Sequence, residues 1–463
     1  MNEYDVIVIG GGAAGMFAAV QAGYAGAKVL LLEPNDRLGK KLYITGKGRC
    51  NLTNACSWQE VLKNVPRNPR FLYSALSGFT PEDAVTFFES HGCETKVERG
   101  NRVFPVSDKS ASVVEALKTA LGYAGVEIRR ARAKELLVED EHISGVRTDR
   151  GDFHAPAVIL AAGGKSYPAT GSTGDGYRMA KALGHSIVPP VGSLVPLVEE
   201  GGWCAKMQGL ALRNVNVRLY ESLPPGGKVP PQGADEGGQR QAAASDQAAA
   251  ASDTTSSVTA SPCHLPLKGK AAAKPVFEEF GELLFTHFGL SGPVILSASA
   301  HMEPGKAYTI EIDLKPALDE ATLDARILRD FGEAKNRSFE NALSGLYPKT
   351  MIPVMVARSG IPGDTRVNSV TREQRRQLLE LTKHFTVQIS GKRPVEEAIV
   401  TSGGVSVKEI DPKTMESKLV PGLYFAGEVM DVDAYTGGFN LQIAWATAYA
   451  AAQAAVKGTG NKE

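Results

Sequence analysis

Tyr4-Asp-Val-Ile-Val-Ile-Gly-Gly-Gly-Ala-Ala-Gly-Met-Phe-Ala-Ala-Val20 decides how the rest of the chain is read. Val6, Ile7, Val8 and Ile9 form an unbroken β-branched run inside Asp5 to Gly10, the pattern of a parallel strand buried on both faces. Gly10, Gly12 and Gly15 follow in the spacing G-x-G-x-x-G, and an alanine-rich stretch from about Ala13 to Ala25 predicts a helix. A dinucleotide pyrophosphate needs this arrangement. The first glycine makes the tight turn, the second lets phosphate approach the backbone, and the third packs helix on strand. The helix start adds free N–H groups and a positive dipole end. Lys28-Val-Leu-Leu-Leu-Glu33 predicts a second strand, and Glu33 stands 18 residues after Gly15, where an acid accepts from a ribose diol. The glycines alone fit many turns; strand, helix and acid together predict a dinucleotide site, without choosing between NAD and FAD.

Composition narrows the function classes. The 463 residues suffice for two or three domains. Lys and Arg total 51, as do Asp and Glu, so no net charge draws the chain to nucleic acid or an anionic membrane. The five cysteines, at 50, 56, 93, 204 and 263, include no C-x-x-C, which argues against a disulfide framework and predicts a cytoplasmic protein. Val6 to Ala27 and Ala434 to Val456 lack charge but are rich in Gly, Ala, Thr and Gln, so they read as buried soluble elements rather than membrane spans. No metal-ligand cluster is expected.

Beyond Glu33, Arg37 to Asn54 concentrates Lys40, Lys41, Lys47 and Arg49 among Gly39, Gly46 and Gly48, which predicts an irregular loop. It leaves the carboxyl end of the second strand, where α/β ligands sit, so it is expected to lie over the cofactor. A meander, Glu135 to Glu139 and Ile143 to Thr148, leads to a further buried strand, Ala157-Val-Ile-Leu-Ala-Ala-Gly-Gly164. From Ser193 short apolar strands predict an inserted β-rich domain. Within it Gly233 to Pro262 has almost nothing to bury and reads as a low-complexity excursion. Leu318 to Lys383 reads as helical. The opening texture returns at Gly422 to Ala426, a strand delivering Gly427 and Glu428, and at Tyr435-Thr-Gly-Gly-Phe-Asn-Leu-Gln442, which turns into an alanine-rich helix. A helix start there would stabilise negative charge on a reduced flavin, and Glu428 would reach ribityl hydroxyls.

Assembled, these segments resemble the bacterial FAD-dependent family that includes aminoacetone oxidase and bile-acid-associated flavoprotein reductases. The resemblance rests on Gly10 to Gly15, Thr45-Gly-Lys-Gly-Arg-Cys-Asn-Leu-Thr-Asn54, Gly163-Gly-Lys-Ser-Tyr-Pro168, Thr286-His-Phe-Gly-Leu-Ser-Gly-Pro293, and Gly427-Glu-Val-Met-Asp431 with Gly437-Gly-Phe-Asn440. It implies an α/β fold, a split Rossmann-like FAD-binding domain interrupted by a β-barrel and a helical subdomain. The expected boundaries are 1–190 and 385–463 for the FAD domain, 191–315 for the barrel (221–275 being the insert) and 316–384 for the helices. Cofactor contacts are expected from Gly10, Gly12, Ala13, Ala14, Gly15 and Glu33 in the first unit. Lys40, Lys41, Thr45, Gly46, Arg49, Cys50 and Asn51 would follow from the loop, with Ala133, Ala161 and Gly163 from the middle. Gly427, Glu428, Asp431, Gly438, Asn440 and Leu441 would close the site. His287 is the one substrate candidate.

The expected function is an FAD-dependent oxidoreductase moving a hydride to or from flavin N5 on a small organic substrate. No second strand–G-x-G-x-x-G–helix is present, so either NAD(P)H visits transiently or oxygen is the electron partner. A flavin disulfide reductase using Cys50 and Cys56 is a weaker alternative, since five residues separate them and the last histidine is His384. A third reading has the inserted domain binding RNA or a protein.

Overall fold

The computed structural model describes residues 3–222 and 274–460, so the insert expected at 221–275 falls almost wholly outside the described residues, and Cys263 with it. Val6–Ile9 is fully buried and pairs in parallel with Val29–Leu32 on one side and Ala157–Leu160 on the other. Glu127–Arg129 and Leu423–Phe425 take the two edges of this five-stranded parallel sheet. Val8 lies level with Leu31 and Ile159, so each strand presents β-branched or leucine side chains to both faces, as a sheet covered on both sides requires. The Ala13–Tyr24 helix packs on Phe439–Gly460 and on Ser110–Tyr123. Consecutive strands leave Val6–Ile9 in opposite directions across the sheet. The crevice at its carboxyl end is therefore the switch point where such folds hold ligands.

Ile187–Ser193 and Val400–Val405 pair antiparallel and carry the chain out of and back into this unit. Between them lies a closed six-stranded barrel of Leu197–Glu199, Ala211–Ser222, Phe277–Phe285, Gly289–Ser291, Ala307–Asp313 and Phe385–Lys392. The last strand corrects the expected boundary at 385. Phe385, Val387 and Ile389 alternate into the barrel interior, and Phe385–Lys392 pairs with Ala307–Asp313 and Leu197–Glu199 to close it. The unit built on the parallel sheet therefore resumes only after Lys392.

The helical segment is also less separate than expected. Glu320–Glu333, capped by Asp319, and Arg372–Lys383, opened by a Thr371–Gln374 capping box, bury Leu323, Ile327, Leu378 and Leu379. These side chains share one core with Phe285, Ile310, Ile312 and Phe385 of the barrel, distinct from the core under the parallel sheet. In the basic loop, Lys40–Ile44 forms a short helix where an irregular segment was predicted, because Gly39 at φ +70° turns the chain into it. Among the described residues no helix is long and apolar enough to cross a membrane.

Candidate active site

A cavity of about 660 Å³ opens at the carboxyl ends of Val6–Ile9 and Val29–Leu32. Gly10, Gly12, Ala13, Ala14, Glu33, Lys40, Lys41, Thr45, Gly46, Asn51, Ala133, Ala161, Gly163, Gly427, Glu428, Gly438, Asn440 and Leu441 all line it. Residues up to 431 positions apart in the chain thus converge on one space.

The glycines are there for different reasons. A Cβ at Gly15 would overlap the Gly10 carbonyl oxygen, so Gly15 serves helix-on-strand packing and does not line the cavity. Gly12, at φ −83°, is the N-cap of the Ala13–Tyr24 helix, and nothing stands within 4 Å of where its Cβ would be. That open side faces the cavity, where the helix's first amides lack acceptors of their own. Glu33 is buried and already engaged: Oε2 accepts from Gly11 N at 2.7 Å, and Oε1 accepts from Asn35 N at 2.8 Å and Nδ2 at 2.7 Å. A carboxylate has about four acceptor positions, so one remains for a ribose hydroxyl. Fixing the Gly11 turn is the larger part of its role.

Glu428 behaves similarly. Lys41 Nζ donates to its Oε2 at 2.7 Å, while Oε1 accepts from Ser166 Oγ at 3.0 Å and Thr401 N at 2.8 Å. Lys41 Nζ also donates to Ser166 Oγ at 2.6 Å. The ribityl role expected of Glu428 therefore shrinks to at most one acceptor position; the residue chiefly ties the basic loop to the far wall. Asn440 is likewise turned to the protein. Its Oδ1 accepts from Ala434 N at 2.9 Å and its Nδ2 donates to Ala434 O at 2.7 Å and Tyr435 O at 3.3 Å.

The expected contacts at four further positions are corrected. Arg49 donates to Glu98 and Asp108 and lies 4.2 Å over the Phe104 ring, so it braces the loop from outside. Cys50 is buried outside the lining, and desolvation pushes its thiol up to about 12. Asp431 is buried behind the wall, accepting from Asn68 Nδ2 at 3.0 Å, with burial pushing its pKa up. His287 sits exposed on a barrel turn, edge-on to Phe288, and reaches no part of the cavity.

The loop from Thr45 to Asn54 is stitched to the start of the Phe439–Gly460 helix. Thr53 Oγ1 donates to Gln442 Oε1 at 2.7 Å, Gln442 Nε2 to Phe79 O at 2.9 Å, Trp445 Nε1 to Leu52 O at 2.9 Å, and Asn54 Nδ2 to Gly437 O at 2.9 Å. A side chain at Gly438 would overlap the Thr53 carbonyl, which explains a glycine there at φ +96°. One lining atom stays unsatisfied: the buried Oδ1 of Asn51 has no partner among the described residues. An orphaned acceptor in the wall, an open helix start and glycines that leave room for a backbone-bound anion together fit a dinucleotide.

The barrel contributes residues that the sequence analysis missed. Leu194, Glu279, Pro293 and Leu296 line the cavity's far side, with Tyr435. Tyr435 Oη is 2.7 Å from His301 Nε2, and the rings of His301, Tyr435 and Phe277 all pack against one another. Behind them Asp433 is buried and accepts from Ser193 Oγ at 2.6 Å and Ser402 Oγ at 2.8 Å. Burial lowers the Lys392 ammonium nearby to about 8 despite the attraction of Asp433. His301 and Tyr435 lie 134 residues apart, so no local pattern could pair them.

The HI0933-like protein Rossmann domain family matches residues 4–454. The chain belongs to this family. At 30% identity over 453 residues, 98% of each chain, it is similar to an Escherichia coli (strain K12) protein named ribosomal RNA dihydrouridine synthase. A Haemophilus influenzae protein of the same name is 29% identical over 465 residues, again 98% of each. A Clostridium scindens protein named 3-dehydro-bile acid delta(4,6)-reductase is 30% identical over 456 residues, 97% of this chain and 98% of that one. The family is one of FAD-binding oxidoreductases.

Proposed function

We propose that the protein is an FAD-dependent reductase that saturates a carbon–carbon double bond conjugated to a carbonyl. The names of its relatives point to one chemistry. A 3-dehydro bile acid with Δ4,6 unsaturation is a conjugated dienone, and uridine becomes dihydrouridine by saturation of the C5–C6 bond conjugated to its C4 carbonyl. The observation that carries the proposal to this chain is the cavity's extension past the cofactor-type residues. There Leu194, Pro293 and Leu296 give the cavity an apolar lining to which Tyr435 also contributes. Such a lining takes a flat conjugated ring and excludes water, and a hydroxyl can meet its carbonyl or supply its proton.

The hydride for such a reduction is the chemistry that reduced FAD supplies when bound. The chain's own residues would orient and enclose. The helix starts at Gly12 and Gly438 favour negative charge, and the Lys41–Glu428 pair fixes the loop that covers it. NAD(P)H is the electron donor we favour, visiting transiently, and the cytoplasm the compartment, where buried unpaired Cys50, Cys93 and Cys204 would stay reduced.

A uracil base in RNA is a second reading of the substrate. The names of the E. coli and H. influenzae relatives favour it, as do Arg37 and Arg102, which line the cavity without a carboxylate partner among the described residues. The dithiol reading has no support, since burial raises the pKa of both Cys50 and Cys56 and neither lines the cavity. The test is anaerobic. Enzyme loaded with FAD and reduced by NADPH or NADH is mixed with a steroidal 4-en-3-one or a uridine-containing rRNA fragment, and flavin absorbance is followed. Reoxidation by either supports the proposal and chooses the substrate. Inertness to both, with bleaching of the oxidised enzyme by amines such as aminoacetone, refutes it.

A further inference from the structure

Saturating a conjugated double bond takes a hydride at the β-carbon and a proton at the α-carbon. The proton must come from the chain or from water, and the cavity wall narrows the choice. Glu33 and Glu428 are held by protein donors, Lys41 is paired with Glu428, Lys40 with Asp36, and Asp175 with Arg132, while Glu279, whose pKa burial raises, is hydrogen-bonded with Ser297. Tyr435 differs. Its hydroxyl has a single partner among the described residues, His301 Nε2 at 2.7 Å, although a hydroxyl can donate once and accept twice. Its backbone is fixed on both sides: Tyr435 N donates to Asn64 O at 3.0 Å, and the Asn440 amide clamps Ala434 and Tyr435.

We propose that Tyr435 is the proton donor for the reduction and that His301 is its positioning residue, holding Oη and returning a proton to it. This rests on the conjugated-bond reading above. Arrival of the hydride forms a C–H bond at the β-carbon and breaks the C=C π bond, leaving an enolate. The Tyr435 O–H bond then breaks and its proton forms the C–H bond at the α-carbon. The phenolate left behind accepts a hydrogen bond from Nε2–H of His301 and takes that proton as Nδ1 takes one from solvent, so the ring stays neutral, and proton exchange with solvent then resets Nε2–H. One hydride and one proton are added; the hydride originates from NAD(P)H.

The surroundings suit these roles. Burial lowers the His301 pKa, so the ring is neutral near pH 7, where it can hold one proton at Nε2. Asp433 acts against that shift and Lys392 with it, while Glu279 and Asp433 raise the pKa of Tyr435 alongside burial, its main cause. Tyr435 thus stays protonated until substrate takes its proton.

The experiment uses FAD-loaded enzyme in stopped flow. For Tyr435→Phe, reoxidation by the conjugated substrate is expected to fall by about 10²- to 10⁴-fold, the usual worth of a positioned acid. Flavin reduction by NAD(P)H in the same preparation serves as the internal reference. His301→Ala is expected to slow reoxidation and raise its solvent isotope effect, and His301→Gln, which can still donate to Oη, to recover part of the rate. A structural role alone would move neither the isotope effect nor the rescue. A third readout needs no turnover: in cofactor-free protein the ring nitrogens of His301, followed by ¹⁵N NMR, titrate below 6.5, and Tyr435→Phe shifts them. Wild-type enzyme that reduces neither substrate overturns the reading of the reaction. Wild-type enzyme that reduces one, with Tyr435→Phe within threefold of it, overturns the dyad alone.

Discussion

Replacing Gly12 by Asp separates cofactor binding from folding. Gly12 has extended backbone angles, φ −83° and ψ −165°, open to any L-residue, and its position as a helix N-cap lacks a side-chain bond. Aspartate is among the preferred N-caps and gains a few tenths of a kcal/mol over glycine, with about 0.3–1 kcal/mol more from the helix dipole. The added Cβ meets nothing within 4 Å. Cofactor-free Gly12→Asp should therefore melt at the wild-type temperature or about 1 °C above it. Its carboxylate would stand where the pyrophosphate is held. Two like charges about 4 Å apart at an effective dielectric near 20 repel by about 4 kcal/mol, an affinity loss of about 10³-fold. Gly12→Ala carries the steric part without the charge. Thermal melts of apo protein and titrations of FAD fluorescence measure both quantities. An FAD affinity within tenfold of wild type, or an apo protein melting several degrees lower, would refute the assignment of that helix start to the cofactor.

Gln442→Leu should destabilise the protein by about 1–3 kcal/mol, because the Thr53 hydroxyl and Phe79 carbonyl lose their partner in a buried setting. Urea midpoints report the loss, and FAD should dissociate faster as the Thr45–Asn54 loop loosens. Lys392, lowered to about 8 in the fold, leaves the unfolded state holding more protons between pH 8 and its ordinary pKa, so its contribution to stability rises with pH across that window. Lys392→Met should flatten the rise in urea midpoint between pH 8 and 10; an unchanged slope would count against the buried ammonium. Cys50, pushed up to about 12, should resist thiol reagents at pH 8 until the protein unfolds, and Cys50→Ala should still allow flavin reduction by NAD(P)H.

What was legible in the sequence was what is local. Val6–Ile9, the three glycines and Glu33 encode a strand, a turn, a helix and an acid within about thirty residues, and the structure assembles them at the sheet's switch point. The inserted barrel showed through its change of texture. Its closing strand was misplaced because Phe385, Val387 and Ile389 mark an alternating strand without saying which sheet it joins, a matter decided by pairing across nearly 200 residues with Leu197–Glu199. Site roles failed for a related reason. Glu33 and Glu428 were identified as acids at strand ends, yet their partners Asn35, Lys41, Ser166 and Thr401 consume most of their acceptor capacity. His287 sits in a distinctive motif but serves a barrel turn, whereas His301 follows an unremarkable apolar helix and meets Tyr435 only in three dimensions.

The order of strands in the parallel sheet also bears on how the chain is made. Ala157–Leu160 has Val6–Ile9 on one side and Leu423–Phe425 on the other, and the latter is translated about 260 residues later. At about 5–20 residues per second, the ribosome leaves that edge unpaired for roughly 13–50 s. Its sequence, Ala-Val-Ile-Leu, is apolar and uncharged, the kind of open edge that recruits other strands. The nascent chain must keep this half-sheet from aggregating while the whole barrel and its helices emerge, and its cofactor site cannot close until the strand and helix that complete it arrive.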